Sequence, residues 1–206
     1  MKIPILSFVR SHPIVSLLAM GVLLGSYALL HARSRGDDRM AVSVNGVQHL
    51  GSDHLISQFY VNKGYYSNVG EEGGGGSHVC CVTLPKQWYP ELKAEVRWEV
   101  HRIIRPADPA EPETVEVEGR YRAQVPVEAY RESGELVVHF FPNGRVRIVV
   151  SSIGHSGNGH PIKWGDPQAS LSATAGAPVK EMFTAEELAE LDREDARDKA
   201  KYGDWR

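Results

Sequence analysis

Residues 135–152, ELVVHFFPNGRVRIVVSS, constrain the fold of this chain more than any other stretch. Apolar runs at 136–141 and 146–150 flank Pro-Asn-Gly, and Asn-Gly is the pair best able to take the positive φ of a tight hairpin. Antiparallel β structure is the expectation there, and the period of two recurs along the chain. Val42 and Val44 alternate with Ser43 and Asn45; HLISQFYVN (54–62) and SHVCCVTL (77–84) follow as strands, the latter ended by Pro85. Val96, Trp98 and Val100 alternate with Arg97, Glu99 and His101, which predicts one buried face and one charged, solvated face. GRYRAQVPV (119–127) resumes the sheet. The stretches 62–76, rich in Gly and Asn, and 105–119, rich in Pro and acids, read as loops.

After residue 153 the periodicity fails and Gly, Ser and Ala dominate, predicting an irregular or mobile segment. The tail TAEELAELDREDARDKAKYG turns helical, with Thr184 and Glu187 spaced as a capping box. Its only apolar residues of size in the first turns are Leu188 and Leu191, so it is solvated or waits for a partner. The expected fold class is mainly β: a single sandwich-like antiparallel domain of six or seven strands, preceded by one N-terminal transmembrane helix and followed by a short C-terminal helix. Residues 1–35 would be a cytoplasmic tip and anchor, 36–165 the β-rich periplasmic domain, and 166–206 a flexible linker and helix.

The anchor is inferred from charge. No Lys, Arg, Asp or Glu occurs between Arg10 and Arg33. Residues 14–30 just reach the roughly 17 apolar residues needed to cross a bilayer. With Lys2 and Arg10 before it, the segment predicts a single-pass inner-membrane protein, bilayer-bound through 14–30, with its C-terminal domain in the periplasm. A cleaved signal peptide ending near Ser26-Tyr27-Ala28 is the rival reading. No cysteine occurs in the first 79 residues, which excludes a lipoprotein.

A net charge of −3 gives no basic field for nucleic acid. Cys80 and Cys81 are the only cysteines, too few for a disulfide scaffold or a four-cysteine metal site. Neighbouring strand residues point to opposite faces, so only one of the two can face the core of a regular strand; they are read either as thiols used as small hydrophobes or as a vicinal disulfide. GGGGSHVCC lacks the Lys and the following helix of a phosphate loop; its glycines are expected to supply positive φ or close backbone approach. His78 with Cys80 or Cys81, joined by His155 and His160, lacks metal-site spacing. Ser156 is not framed as a nucleophile elbow. Glu95, Glu99, Glu116 and Glu118 have the spacing of a solvated face. No catalytic residue, cofactor or metal is expected, and the chain is read as a non-enzyme.

The series GGGGSHVCCVTLPKQWYPELKAEVRW, preceded by ISQFYVN and followed by VPVEAY and VVHFFPNGRVRIVVSS, resembles a family of small proteobacterial envelope proteins known only as a domain of unknown function. The resemblance covers about residues 41–165. Many members are encoded beside type VI secretion phospholipase effectors, and some are regarded as immunity proteins. The resemblance therefore implies a periplasmic protein that binds and neutralises a secreted phospholipase toxin. Tyr65, Tyr66, Gly74, Gly75, Trp88 and Tyr89 are the expected interface, since Trp and Tyr dominate binding hot spots, unless they pack the end of the sheet. The alternative function is a non-catalytic structural or accessory component of a bacterial envelope assembly.

Overall fold

The computed structural model describes residues 38–71, 73 and 79–203, with the backbone alone at 65–67, 79 and 80. Its elements are β1 (Arg39–Gln48), β2 (His54–Val61), β3 (Gly64–Val69), β4 (Val79–Pro85), β5 (Lys93–Ile104), β6 (Thr114–Pro126), β7 (Glu135–Phe141), β8 (Arg145–Ser151), β9 (Thr174–Ala175), β10 (Ala177–Pro178) and the helix α1 (Ala185–Tyr202). They form two five-stranded sheets, ordered β4-β1-β7-β8-β9 and β10-β6-β5-β2-β3. Residues 38–40 and 83–87 make a small unit of their own, in which Lys86 donates its backbone N–H to the Asp38 carbonyl at 2.9 Å and pairs with the Asp38 carboxylate at 2.6 Å. Residues 41–82 and 88–203 make the main unit.

Local turn chemistry explains two hairpins. Asn143 and Gly144 take φ of 63° and 62°, and β7 pairs antiparallel with β8 from Phe141 opposite Arg145. Asn62 and Lys63, at φ 50° and 70°, turn β2 into β3, with Val61 opposite Gly64. That second hairpin replaces part of the loop expected over 62–76. Positive φ at Lys63 leaves no compositional mark, because a non-glycine residue there relies on its partners rather than on its own preference.

Period-two alternation places Val44, Leu136, Val138, Phe140 and Ile148 of the first sheet against Ile56, Phe59, Val96, Trp98 and Val125 of the second, all buried. Phe140 touches both Phe59 and Trp98, at ring-centroid distances of 5.3 and 5.9 Å. At Gly46 a Cβ would stand 2.5 Å from Val69 Cγ2, so the space between the layers there admits no side chain. The other face of the first sheet is also covered. Val47, Val137, Phe141 and Val149 pack with Ile162, Ala169 and Ala173 from the irregular segment, which supplies core residues without regular structure.

The expected fold class needs correction. The sheets are not purely antiparallel: β1 and β7 run parallel, with Val44 opposite Leu136 and Gln48 opposite Phe140. Two apolar strands far apart in sequence can pair in either sense, and alternation alone does not choose. Ten strands are described rather than six or seven, and β6 begins at Thr114, inside the loop expected over 105–119. No helix among the described residues is long and apolar enough to cross a membrane. α1 has the length but no buried residue and charges on all sides. The expected anchor at 14–30 lies outside the described residues. The architecture is a mainly β domain of two sheets with one C-terminal helix among those residues.

Candidate functional site

Three imidazoles meet on the outer face of the first sheet. His139 belongs to that face by alternation with Val137 and Phe141, His49 follows β1, and His160 comes from the covering segment. His49 Nε2 lies 2.9 Å from His139 Nδ1, His139 Nε2 lies 3.1 Å from His160 Nε2, and His160 Nδ1 lies 2.9 Å from the Ile153 carbonyl oxygen. The Ser151 hydroxyl also donates to that carbonyl at 2.8 Å. A carbonyl can only accept, so His160 Nδ1 carries hydrogen. With one proton on each ring, the hydrogen-bond network then assigns every tautomer in turn: His139 donates from Nε2, His49 donates from Nε2, and His49 Nδ1 is left as a bare lone pair.

Burial sets the charge of this chain. Desolvation first, and then electrostatic interaction with Arg147 and His160, lower His49 from 6.5 to about 4. His139, 1 % exposed, is lowered to about 2, first by desolvation and then by its histidine neighbours. Both rings are neutral at pH 7. The His49 ring stacks on Phe141 at 4.6 Å and lies 5.2 Å from Trp164. Beside it is a cavity of about 470 Å³ lined by His49, Phe141, Pro142, Trp164, Asp166 and Pro167, among others. Trp164 also covers Gly73, where φ is 79° and a Cβ would collide with the indole. Gln48, fully buried, ties the neighbouring turns together: its Nε2 lies within 3.3 Å of the Gly51, His54, Gly70 and Glu71 carbonyls.

The outer face of the second sheet carries a different network. Arg97 is 1 % exposed and reaches Glu95 Oε1 at 2.7 Å, both Glu187 carboxylate oxygens at 2.7 and 2.8 Å, and the Met182 carbonyl at 2.6 Å. Its guanidinium also lies 4.3 Å from the centroid of the Phe183 ring. Glu187 closes the capping box with Thr184 at the start of α1, so one carboxylate both caps the helix and ties it to β5. The Arg97 hydrogen bonds, with the Thr184 N–H, hold Glu187 down at about 2. Glu99 is buried too. Burial alone would raise its carboxyl, but bonds from Ser57, His101 and Arg120 outweigh this and keep it below its usual value. The face of Glu95 and Glu99 is therefore no solvated face, contrary to expectation. Residues 179–187 fold over it, a contact that strand alternation cannot report.

These shifts predict a divided response to acid. His49 and His139 bind protons more weakly folded than unfolded, so stability is unaffected above pH 6.5 and falls as pH drops from 6.5 toward about 4 and below. The contribution of Glu187 is complete above 4.5 and is lost only as pH falls through about 2. Urea midpoints between about pH 7 and pH 5 should decline, and His139→Leu should flatten the decline. Amide exchange should show α1 still docked at the lower pH. A midpoint that is flat or rises on acidification would contradict the buried neutral pair.

Of the expected interface residues, only Trp88 and Tyr89 have described side chains. Trp88 is half-buried and donates its indole N–H to the Val127 carbonyl at 2.8 Å, and Tyr89 is half-buried beside it in the chain. Neither lines the cavity. Tyr65 and Tyr66 lie in β3 with only their backbone described, and Gly74, Gly75 and His78 lie outside the described residues. Cys81 is disulfide-bonded, while the Cys80 side chain is outside the description. Of the histidines weighed as ligands, His160 has both ring nitrogens engaged, and no group of three metal-ligating side chains is found among the described residues. Sequence reasoning passed over His49, His139, Trp164 and Asp166. The available signal was His139, the one polar side chain inside the run LVVHFF.

The membrane and toxin expectations are withdrawn. A single-pass inner-membrane topology with a periplasmic domain rested on a spanning helix, and none is found among the described residues. A role as an immunity protein against a phospholipase rested on family context, and no curated protein or solved structure matches the chain to supply such a partner. What comparison does show is similarity over residues 51–148, from just before β2 into β8, to a family described as protein of unknown function (DUF3304).

Proposed function

We propose that the chain is a non-catalytic structural or accessory component of a bacterial envelope assembly, acting by holding a partner. The observation that carries this reading is α1: eighteen residues with none buried, capped and tied to the β domain through Glu187. An isolated helix of this length is marginal in water, so a helix with no residue fully buried gains most from a partner. Leu188, 50 % exposed, and Leu191 one turn on form its apolar contact points. The resemblance to small envelope proteins supports the setting. The chemistry supports binding over catalysis, because a histidine at about 4 is too weak a base for proton transfer near pH 7.

A photo-crosslinking residue placed at 188 or 191 in cells should give one dominant adduct in the envelope fraction. Leu188→Asp combined with Leu191→Asp should abolish co-fractionation at a cost of about 1 kcal/mol or less in unfolding free energy, since Leu188 is exposed and Leu191 half-buried. An equal adduct yield from a crosslinker at Glu116 on β6, or unchanged co-fractionation of the double variant, would refute the reading.

A further inference from the structure

The cavity beside His49 plays no part in that reading, and its polar groups are specific. His49 presents the bare Nδ1 that the Ile153 carbonyl imposes through the imidazole chain, and no described residue donates to it. Asp166 accepts the Gln168 N–H with Oδ1 at 2.9 Å, and no described residue uses its second oxygen. Trp164 is 57 % exposed at the rim, and Phe141, Pro142 and Pro167 complete apolar walls. The nearby Arg147 is already engaged, with Nε on Glu128 at 2.7 Å and Nη1 on the Ala169 carbonyl at 2.9 Å. What remains unused is a neutral acceptor, an anionic acceptor and an aromatic face.

We propose that this cavity binds an organic cation, an alkylammonium or guanidinium group, whose N–H bonds go to His49 Nδ1 and Asp166 while its charge lies against the Trp164 ring. A volume of about 470 Å³ suits such a group on a small molecule or a peptide side chain. An apolar ligand would leave both acceptors desolvated and unpaired, and an anion would meet the Asp166 charge. A neutral hydroxyl ligand could use the same acceptors, but a charged donor bonds a carboxylate about twice as strongly and adds the attraction to the indole face.

The test uses the whole chain, with 15N side-chain resonances of histidine and tryptophan fluorescence as readouts. Butylammonium and butylguanidinium should bind saturably and shift the His49 Nδ1 resonance, and butanol should bind about tenfold more weakly or worse. Asp166→Asn and Trp164→Ala should each weaken the cations by about tenfold. Asp166→Asn alters charge at an exposed site, so it should not disturb folding. A blocked Gly-Lys-Gly peptide that binds more tightly than butylammonium would assign the cation to a peptide side chain; weaker binding would assign it to a free amine. Equal binding of butanol and the cations, binding of N-acetylglucosamine without the cations, or no saturable binding by any probe would overturn the proposal. None of these outcomes bears on the α1 crosslink, so the two readings fail separately.

Discussion

Replacing Arg97 by alanine is expected to destabilise the domain by about 3 kcal/mol and to release the start of α1, because removing one partner of a buried ion pair leaves the other charge uncompensated. Glu95 and Glu187 are 12 % and 20 % exposed and would both lose a close charged partner. Arg122 still reaches Glu95 at 2.6 Å, which places the expected loss at the lower end of the usual range. Arg97→Lys should fall between the two, since an ammonium cannot serve both carboxylates and the Met182 carbonyl with the guanidinium's planar fork. Urea unfolding reads the stability, and amide exchange over 185–190 reads the helix. A loss below about 1 kcal/mol with unchanged exchange would mean that the network merely decorates a helix held by other contacts.

Phe140→Ala should cost about 3–5 kcal/mol, the range for deleting a fully buried aromatic side chain. Phe140 is 0 % exposed and is the ring through which β7 meets Phe59 of β2 and Trp98 of β5. Its removal would empty the space between the two sheets, where strands on both sides limit relaxation. Phe140→Leu should retain most of the stability. The comparison distinguishes lost packing from a general sensitivity of the strand, which would make the two variants alike in their urea midpoints. Because the cavity and the histidine chain sit on the opposite face of β7, the Leu variant should still show the His49 resonance in its native position.

Features set by neighbours in the chain were legible. The Asn143-Gly144 turn, the alternation of Val96, Trp98 and Val100, and the box formed by Thr184 and Glu187 all depend on residues within a few positions of each other. Gly73 also meets expectation, with positive φ and a close approach, although its neighbour Trp164 is distant in sequence. The candidate sites were largely illegible. His49, His139 and His160 come from three separate stretches, and Arg97 meets Glu187 across ninety positions.

Amino-acid order alone determined that this chain forms β hairpins and ends in a capped helix, because turn geometry, side-chain alternation and capping are properties of adjacent residues. Only the tertiary structure decided that β1 lies parallel to β7, that Arg97 and Glu99 are buried, and that an irregular segment brings His160, Trp164 and Asp166 over the first sheet. Those outcomes depend on which surfaces meet once the chain has closed long loops, and a surface's partner is not written in its own stretch of sequence.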